Sequence, residues 1–439
     1  MKINRPRIVA WPIAFTILAT SVVAFRAAAP ASVGVRGRQN ANVSLAAAGR
    51  FVAAVWAAST AAGATDIYAA VSRDAGTTFS APVRVNSTAG AARVNGEQPA
   101  HVSLISRTGA EPELVVVWTA PGGAGTALMT ARSVDAAKTF SRSAIVAGTD
   151  AAGNRGWEAI ATDPHGRIDA IWLDHRDTVQ AGSSGDMSHH MDHGTSASMQ
   201  MDSVAKAQLS KLYFGDINSS GGAAAKPPLV LTGGVCYCCK TALAVGADGA
   251  VYAAWRHVYP GNMRDIAFTM SRDDGKTFSA PVRVSEDKWA LDGCPENGPA
   301  IAVDAKNTIH LAWPTLIGGA NAGSTLGLFY AASRDGKPFT PRQTIPTMGM
   351  PRHVQIAAAR DGSLALVWDE EEAGGRRVAF ARGAVDQAGR VEFHRQTLTV
   401  LGNASYPAIV LTTDGALVAA SPGGAAADSA IRFVQVRLE

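Results

Sequence analysis

The sequence predicts an all-β fold, a β-propeller of four-stranded blades, and three observations lead to this prediction. Short apolar strands that end in tryptophan recur along the chain, one turn motif repeats at the same place in several units, and glycines are abundant, with 44 in 439 residues. Evenly spaced strands with such turns are typical of repeat folds in which each unit packs on its neighbours. We expect seven blades, with six as the alternative.

The tryptophan strands define the repeat. In each unit an apolar strand and a short turn precede a second apolar strand, which ends in one of six tryptophans, namely Trp56, Trp118, Trp172, Trp255, Trp313 and Trp368. Their spacing is nearly even apart from one longer gap after Trp172, and the period is typical of propeller blades. A seventh copy without tryptophan occupies residues 415–420. We expect residues 32–36 to supply the missing strand of this last blade and so close the ring.

A turn motif follows the third strand in four units. It reads S-R-D-A-G-T-T-F at residues 72–79, S-V-D-A-A-K-T-F at 133–140, S-R-D-D-G-K-T-F at 271–278 and S-R-D-G-K-P-F at 333–339. Aspartate and serine side chains bind backbone N–H groups in turns, and glycine adopts the positive φ that such turns need. We therefore interpret the motif aspartates as structural, not catalytic; they are Asp74, Asp135, Asp273 and Asp335.

These four motif copies resemble the Asp-box, or BNR, repeat of the sialidase-like propellers, and the resemblance covers nearly all of the chain that follows the N-terminal apolar stretch. It implies a propeller fold, which hosts many unrelated functions. A sialidase would also need a clamp of three arginines on the substrate carboxylate, a Tyr–Glu nucleophile pair and an aspartate acid/base. The family's F/Y-R-I-P motif is absent from the first blade, where Arg50 precedes F-V-A-A, and the sialidase domain has six blades.

Polar residues at the ends of tryptophan strands are nevertheless candidates for binding a glycan substrate. Structural hydrogen bonding at the rim of the propeller is the alternative interpretation. The candidates are Asp174, His175, Arg176, Arg256, His257, Arg264 and Asp265.

The segment 1–31 predicts an export signal that is cleaved, with an uncleaved membrane anchor as the alternative. Basic residues come first, an apolar stretch follows, and small residues at 27–31 suit cleavage. We expect residues 32–439 to form one propeller domain in the periplasm or outside the cell. The formal net charge of +4 comes from four basic residues within the predicted signal, so the remaining chain is neutral. Nucleic acid is therefore not an expected partner, and no later segment predicts a membrane span.

The cysteines predict the most distinctive chemistry. When the first strands of units four and five are aligned, Cys236 falls on Cys294, and the same position of unit six is Gly349. Equivalent positions of adjacent blades lie on one face of a propeller. We therefore expect a shared group of candidate metal ligands near the central channel, comprising Cys236, Cys238, Cys239, Cys294, Met348, Met350 and His353.

The long spacing after Trp172 predicts a loop insertion at about residues 178–209, on that same face. It is rich in histidine and methionine, and its candidate metal ligands are His189, His190, Met191 and His193. Thiolate and thioether ligands favour Cu(I), and thiolate with imidazole suits copper or zinc, so copper is the expected ion. A solvated linker is the alternative for the insertion.

The cysteines alternatively form disulfides, as an even number in an exported protein suggests. Cys236–Cys294 and Cys236–Cys239 are both consistent pairings, and the second leaves Cys238 for Cys294. Three functions therefore remain open: an exported soft-metal or redox protein with copper, a sialidase-like hydrolase acting on glycans, and a disulfide-stabilised scaffold that binds another protein.

Overall fold

A computed structural model describes residues 31–180, 203–217, 226–291, 293, 295–317, 325–386, 390–424 and 426–438. The predicted export signal, the histidines and methionines of the insertion, and Cys294 lie outside these residues. The described chain forms seven four-stranded antiparallel sheets, so the prediction of seven blades is confirmed. None of the helices in this part of the chain is long and apolar enough to cross a membrane.

The first four blades follow the chain in order. Blade 1 contains β2 (Gln39–Ala48), β3 (Phe51–Ser59), β4 (Thr65–Ser72) and β5 (Val83–Arg84). Blade 2 contains β6 (His101–Ile105), β7 (Glu113–Pro121), β8 (Thr126–Ser133) and β9 (Ala144–Ile145). Blade 3 contains β10 (Arg155–Thr162), β11 (Ile168–Asp174), β12 (Lys211–Asp216) and β13 (Leu229–Gly233). Blade 4 contains β14 (Ala242–Val245), β15 (Val251–Tyr259), β16 (Met263–Ser271) and β17 (Val282–Arg283).

The remaining blades complete the ring. Blade 5 contains β18 (Ala300–Val303), β19 (Ile309–Ile317), β20 (Thr325–Ser333) and β21 (Gln343–Ile345). Blade 6 contains β22 (Met350–Ala358), β23 (Leu364–Glu372), β24 (Gly375–Val385) and β25 (Val391–Thr397), followed by a 3₁₀ turn, Thr399–Leu401. Blade 7 contains β26 (Ala404–Thr412), β27 (Gly415–Pro422), β28 (Ile431–Val436) and β1 (Ser32–Val33).

Blade 7 joins the two ends of the chain. Its outer strand β1 pairs with β28, with Ser32 opposite Arg432 and Val33 opposite Ile431. The expected closing strand therefore forms, although it is shorter than the predicted residues 32–36. Pairing the first strand with the last covers the sheet edge that an open ring would expose.

The core lies between the blades, on both faces of each second strand. The six tryptophans that define the repeat are at most 1% exposed, and in β3, β7, β11 and β27 almost every residue is buried. A strand covered on both faces reads as a continuous apolar run rather than an alternating one. This explains why segments such as F-V-A-A-V-W mark the blades in the sequence.

The four motif aspartates bind their own turns. Asp74 accepts hydrogen bonds from the Ser72 hydroxyl at 2.7 Å and from the Thr78 N–H at 2.9 Å, and the Gly76 N–H donates to the Ser72 hydroxyl. Asp135 and Asp273 bind their turns in the same way. In the shortened fourth copy, the Lys337 N–H donates to Asp335 at 2.9 Å.

The motif phenylalanines pack on the preceding blade. Phe79 contacts Phe433 with ring centroids 4.3 Å apart, Phe278 lies 5.0 Å from Phe214, and Phe339 lies 5.1 Å from Phe268. Each motif thus closes the interface between its own blade and the previous one.

Bulges interrupt the innermost strands at equivalent positions. The register shifts between Ala41 and Ser44, Gly156 and Ala159, Arg352 and Gln355, and Ser405 and Ala408. One residue in each bulge has positive φ, and these residues are Asn42, Trp157, His353 and Tyr406. A bulge redirects side chains and is frequent beside functional sites. The residues at these bulges are therefore candidates for a functional site near the propeller axis.

The two described ends of the insertion are helical. Helix α1 (Arg176–Gln180) continues from β11, and helix α2 (Ser203–Leu209) leads into β12. The residues between the two helices lie outside the described part of the chain.

Candidate functional site

Three cysteines meet in the connection between β13 and β14. The Cys236 N–H donates to the Arg256 carbonyl at 2.9 Å, and a tight turn then carries the chain through Cys238 and Cys239. The Cys236 and Cys239 sulfurs lie 3.1 Å apart, and the Cys236 and Cys238 sulfurs lie 4.0 Å apart. We call these three residues the cysteine centre; each is at most 2% exposed.

The cysteines of the centre differ in state. Cys236 and Cys239 are free thiols, whereas Cys238 is disulfide-bonded. Burial raises the pKa of the Cys236 thiol, but a hydrogen bond from Cys239 and the charges of Arg264 and Arg256 outweigh it and hold that pKa at about 7. Burial and the Cys236 sulfur raise the pKa of Cys239 well above its ordinary value. One thiolate beside one thiol is therefore the expected state near neutral pH.

Two buried arginines provide the positive charge. Arg264 Nη1 lies 3.3 Å from the Cys236 sulfur, and its Nε donates to the Leu291 carbonyl at 2.8 Å. Arg256 donates to the carbonyls of Asn297 and Pro314 and lies 4.9 Å from the Trp289 ring. Because these guanidinium groups are fixed by the protein, the cysteine sulfurs face a permanent positive field.

Helix α2 packs over the cysteine centre. Ala207 belongs to the same buried cluster as the cysteines, Lys206 Nζ lies 4.4 Å from the Tyr237 ring, and Arg264 Nη2 lies 3.4 Å from the Ser203 hydroxyl. The C-terminal end of the insertion is therefore attached to the centre.

The structure does not gather the other predicted metal ligands at the sulfurs. Met348 is 73% exposed and its sulfur faces Arg395, while Met350 is 41% exposed and its sulfur lies 3.9 Å from Arg352. Among the described histidines, cysteines and carboxylates, only the three cysteines come close enough together to share one ion. The remaining candidates, Cys294, His189, His190, Met191 and His193, lie outside the described residues.

His353 instead belongs to a polar cluster on the propeller axis. Its Nδ1 lies 2.6 Å from an Asp369 oxygen, its Nε2 lies 3.7 Å from Glu97, and its ring packs 3.9 Å from that of Tyr406. Asp369 also accepts the Tyr406 N–H at 3.1 Å. A carboxylate on Nδ1 orients the imidazole and turns Nε2 toward Glu97, and an imidazole held by a carboxylate in this way is a candidate general base.

The axial cluster adjoins the cysteine centre. The N–H of Lys240, the residue after Cys239, donates to Glu97 at 3.2 Å, and Lys240 Nζ donates to the Val354 carbonyl at 2.6 Å. A cavity of about 170 Å³ beside them is also lined by His101 and Glu158.

Burial shifts the axial groups toward their neutral forms. It raises the pKa of Glu97, raises that of Glu158 to about 7, lowers that of Lys240 and lowers that of His101 to about 4. Burial, with Glu97 and Asp369 nearby, raises the pKa of Tyr406 to about 12. Several proton donors and acceptors with displaced pKa values thus converge in one small space, a pattern typical of functional sites.

The candidate substrate-binding residues of blade 3 mostly serve structural contacts. Asp174 is fully buried between Arg155, 3.1 Å away, and Arg176, 2.6 Å away. His175 is 1% exposed, its ring lies 5.7 Å from that of Trp157, and burial lowers its pKa to about 4.

The candidate substrate-binding residues of blade 4 also make structural contacts. His257 accepts from the Trp255 indole at 3.4 Å, and Asp265 pairs with Arg283. The N–H groups of Arg256 and Arg264 donate hydrogen bonds to backbone carbonyls and to the Cys236 sulfur. A sialidase-type clamp needs guanidinium groups available to a substrate carboxylate, so these two arginines do not provide one.

Sequence reasoning missed Glu97, Lys240 and Tyr406 as members of the axial cluster. Part of the axial cluster could have been detected in the sequence, because Lys240 and His353 precede the tryptophans of their blades by the same number of residues. Polar residues at this position, where an inner strand begins, could have been aligned across the repeat. Glu97 lies in a differently built connection and gives no such signal.

Comparison with known proteins supports the fold. No family model matches the chain. Its sequence also matches none of the curated proteins. An ulvan lyase of a polysaccharide lyase family is 12% identical, with a TM-score of 0.54 over 93% of this chain and 96% of that one. An α-L-arabinofuranosidase from Fusarium graminearum is 11% identical, with a TM-score of 0.50 over 93% and 97%.

The NanB sialidase from Streptococcus pneumoniae is 12% identical, with a TM-score of 0.45 over 92% of this chain and 69% of that one. The similarity to the ulvan lyase and the arabinofuranosidase supports the fold alone, and at such identities it does not identify a reaction.

Proposed function

We propose that this chain is an exported copper(I)-binding propeller whose ligands are the thiolates of Cys236 and Cys239. The observation that carries the proposal is the pair of free, buried sulfurs 3.1 Å apart beside Arg264. Soft thiolate ligands favour Cu(I), as well as zinc and iron–sulfur clusters, over hard cations. Cys238 stands outside this ligand set because it is disulfide-bonded.

Charge supports copper(I) over a divalent ion. Binding would release the proton of the Cys239 thiol. Two thiolates around Cu(I) would then carry a net charge of −1, which the fixed guanidinium groups of Arg256 and Arg264 offset. Burial of all three sulfurs at 2% exposure or less keeps water from competing as a ligand.

A competition titration tests this proposal. Protein comprising residues 32–439, with the Cys238 disulfide intact and Cys236 and Cys239 as free thiols, is titrated anaerobically with Cu(I) against a chromogenic chelator such as bicinchoninate. We expect one ion per chain, lost in Cys236→Ser and in Cys239→Ser. Met348→Leu serves as the matched control and keeps the ion, because its exposed sulfur faces Arg395 instead.

Two results would contradict the copper proposal. Copper retained at full stoichiometry in both serine variants would locate it elsewhere in the chain. A failure to bind, with reversible formation of a Cys236–Cys239 disulfide, would make the centre a thiol-redox site without a metal.

A second candidate function rests on the axial cluster: an enzyme that acts on a polysaccharide with His353 as general base. Asp369 orients the imidazole at 2.6 Å, and Tyr406 and Glu97 lie beside it. Support also comes from the fold, which the ulvan lyase and the arabinofuranosidase share.

Assays for new reducing ends and for unsaturated products, on ulvan, arabinan and a sialoglycan, test this candidate. Activity should disappear in His353→Ala and persist in Cys236→Ser, since the second residue belongs to the cysteine centre. Activity that persists in His353→Ala would contradict a role for His353 as general base.

A further inference from the structure

The cysteine centre holds sulfur in two oxidation states within one buried turn. Cys236 and Cys239 are free thiols, whereas Cys238 is disulfide-bonded. The three sulfurs all lie within 4.8 Å of one another. A thiol pair and a disulfide sulfur are the two reactants of thiol–disulfide exchange. Copper binding by the two thiols gives this neighbouring disulfide no role.

Cys236 is placed between the other two cysteines. Its sulfur lies 3.1 Å from that of Cys239 and 4.0 Å from that of Cys238. A disulfide bond is about 2.05 Å long, so a sulfur must move by about 2 Å for Cys236 to bond to Cys238. A change of side-chain rotamer supplies a displacement of this size. Cys236 can therefore bond to either neighbour without rearrangement of the blades.

Chain geometry makes Cys236, and not Cys239, the residue that attacks Cys238. Consecutive Cα atoms are about 3.8 Å apart, which is closer than the Cα separations of about 4.4–6.8 Å found in disulfides. A bond between the adjacent residues Cys238 and Cys239 is thus strained. Cys239 reaches the disulfide only through Cys236.

The surroundings of Cys236 favour its attack on an internal disulfide. Arg264 Nη1 lies 3.3 Å from the Cys236 sulfur, and the Leu291 carbonyl holds the same guanidinium group through Nε. The thiolate is the nucleophile in exchange, and a fixed positive charge favours it. Each cysteine of the centre is at most 2% exposed, which keeps external disulfides away from the sulfurs. The disulfide within reach of Cys236 is therefore that of Cys238.

We propose that the cysteine centre carries out an internal thiol–disulfide exchange. The Cys236 thiolate attacks the Cys238 sulfur, a Cys236–Cys238 bond forms, and the sulfur previously bonded to Cys238 leaves as a thiolate. Cys239 then gives up its proton and attacks the Cys236 sulfur. A Cys236–Cys239 bond forms, and Cys238 leaves as a thiolate that takes up that proton.

The exchange balances without an external oxidant. One disulfide and two unbonded sulfurs are present both before and after it, and one electron pair passes from Cys236 and Cys239 to the disulfide of Cys238. The centre thus has two isomers, and in the second the two proposed copper ligands are bonded to each other. The exchange itself needs no copper and goes beyond the proposed function.

Alkylation of the folded, copper-free protein tests this proposal. Residues 32–439 are treated at pH 7 with iodoacetamide at several concentrations, and tandem mass spectrometry maps the labelled and disulfide-bonded cysteines over time. We expect label on Cys238 together with a Cys236–Cys239 disulfide, because alkylation removes the released thiol irreversibly. The Cys238 label should increase at lower reagent concentration, since slow alkylation of Cys236 and Cys239 leaves more time for exchange.

Two variants separate the steps. Cys236→Ser removes the attacking sulfur and should abolish the Cys238 label. Cys239→Ser removes the second nucleophile and should accumulate the Cys236–Cys238 disulfide, also without label on Cys238. Met348→Leu is the matched control and should label as the unsubstituted chain does, because its exposed sulfur faces Arg395.

Three results would overturn the exchange. They are an unlabelled Cys238 at every reagent concentration, equal Cys238 labelling in Cys236→Ser, and a labelling rate that rises in low urea in step with the unfolded fraction. The last result would place the exchange in unfolded chains. None of these measurements uses copper, so a failure here leaves the copper titration to be decided by its own variants.

Discussion

The charge of Arg264 lowers the pKa of Cys236 together with the hydrogen bond from Cys239, and Arg264→Gln measures the contribution of the charge. Arg264 Nη1 lies 3.3 Å from the Cys236 sulfur in a fully buried environment. A hydrogen bond to a charged group contributes about 1.5–3 kcal/mol, and about 1.4 kcal/mol corresponds to one pKa unit. The substitution should therefore raise the pKa of Cys236 by roughly one to two units.

The sign follows from which form the arginine stabilises. Positive charge favours the thiolate, so removing it makes the thiol form more stable and moves the pKa upward from about 7. At pH 7 the thiolate fraction of Cys236 should fall from about one half to about one tenth or less. The pKa of Cys239 lies well above the ordinary value, so Cys236 titrates alone in this range.

Ultraviolet absorbance of the thiolate, recorded against pH, provides the assay and does not require a reagent to reach buried sulfurs. Arg283→Gln is the control, because Arg283 lies in the same blade but pairs with Asp265. A Cys236 pKa that stays near 7 in Arg264→Gln would refute the reasoning. An equal shift in Arg283→Gln would attribute the effect to general loss of positive charge.

Two further predictions concern stability and can be measured by urea unfolding. Asp174→Asn leaves the buried Arg155 without its carboxylate and should lower the free energy of unfolding by about 3–5 kcal/mol. The control, Asp177→Asn, breaks only the partly exposed pair with Lys211 and should lower it by less than about 1 kcal/mol. Equal losses would contradict a structural role for Asp174. Gly275→Ala places a Cβ 2.3 Å from Phe214 and should cost about 1–3 kcal/mol more than Gly249→Ala. Both glycines have similar positive φ, 77° and 80°, so a smaller difference would mean that the contact between blades is not tightly packed.

The fold was largely predictable because its determinants are local and repeated. Each tryptophan strand is buried on both faces, so its apolar run is visible without knowing what covers it. The motif aspartates bind N–H groups of their own turns, and their geometry is contained in the motif itself. The closing strand was predicted because an open ring would leave an edge, and only its length differs.

The cysteine centre was predicted in part. The spacing from Cys236 to Cys239 lets one turn bring their sulfurs together, and they do meet at 3.1 Å. The disulfide state of Cys238 and the contact with Arg264 could not be read from spacing. Likewise Met348 was predicted beside the cysteines from its repeat position, but its exposed side chain faces Arg395.

The sequence by itself favoured seven blades over six, and it determined the position of each motif turn and the clustering of three cysteines in one connection. Only the tertiary structure decided which side chains of different blades meet, such as Glu97, Lys240, His353 and Tyr406 on the axis. It also decided that a cavity opens between blades 5 and 6. The physical reason is that periodicity and turn chemistry act between near neighbours in the chain, whereas contacts across the axis depend on how seven sheets pack into a closed ring.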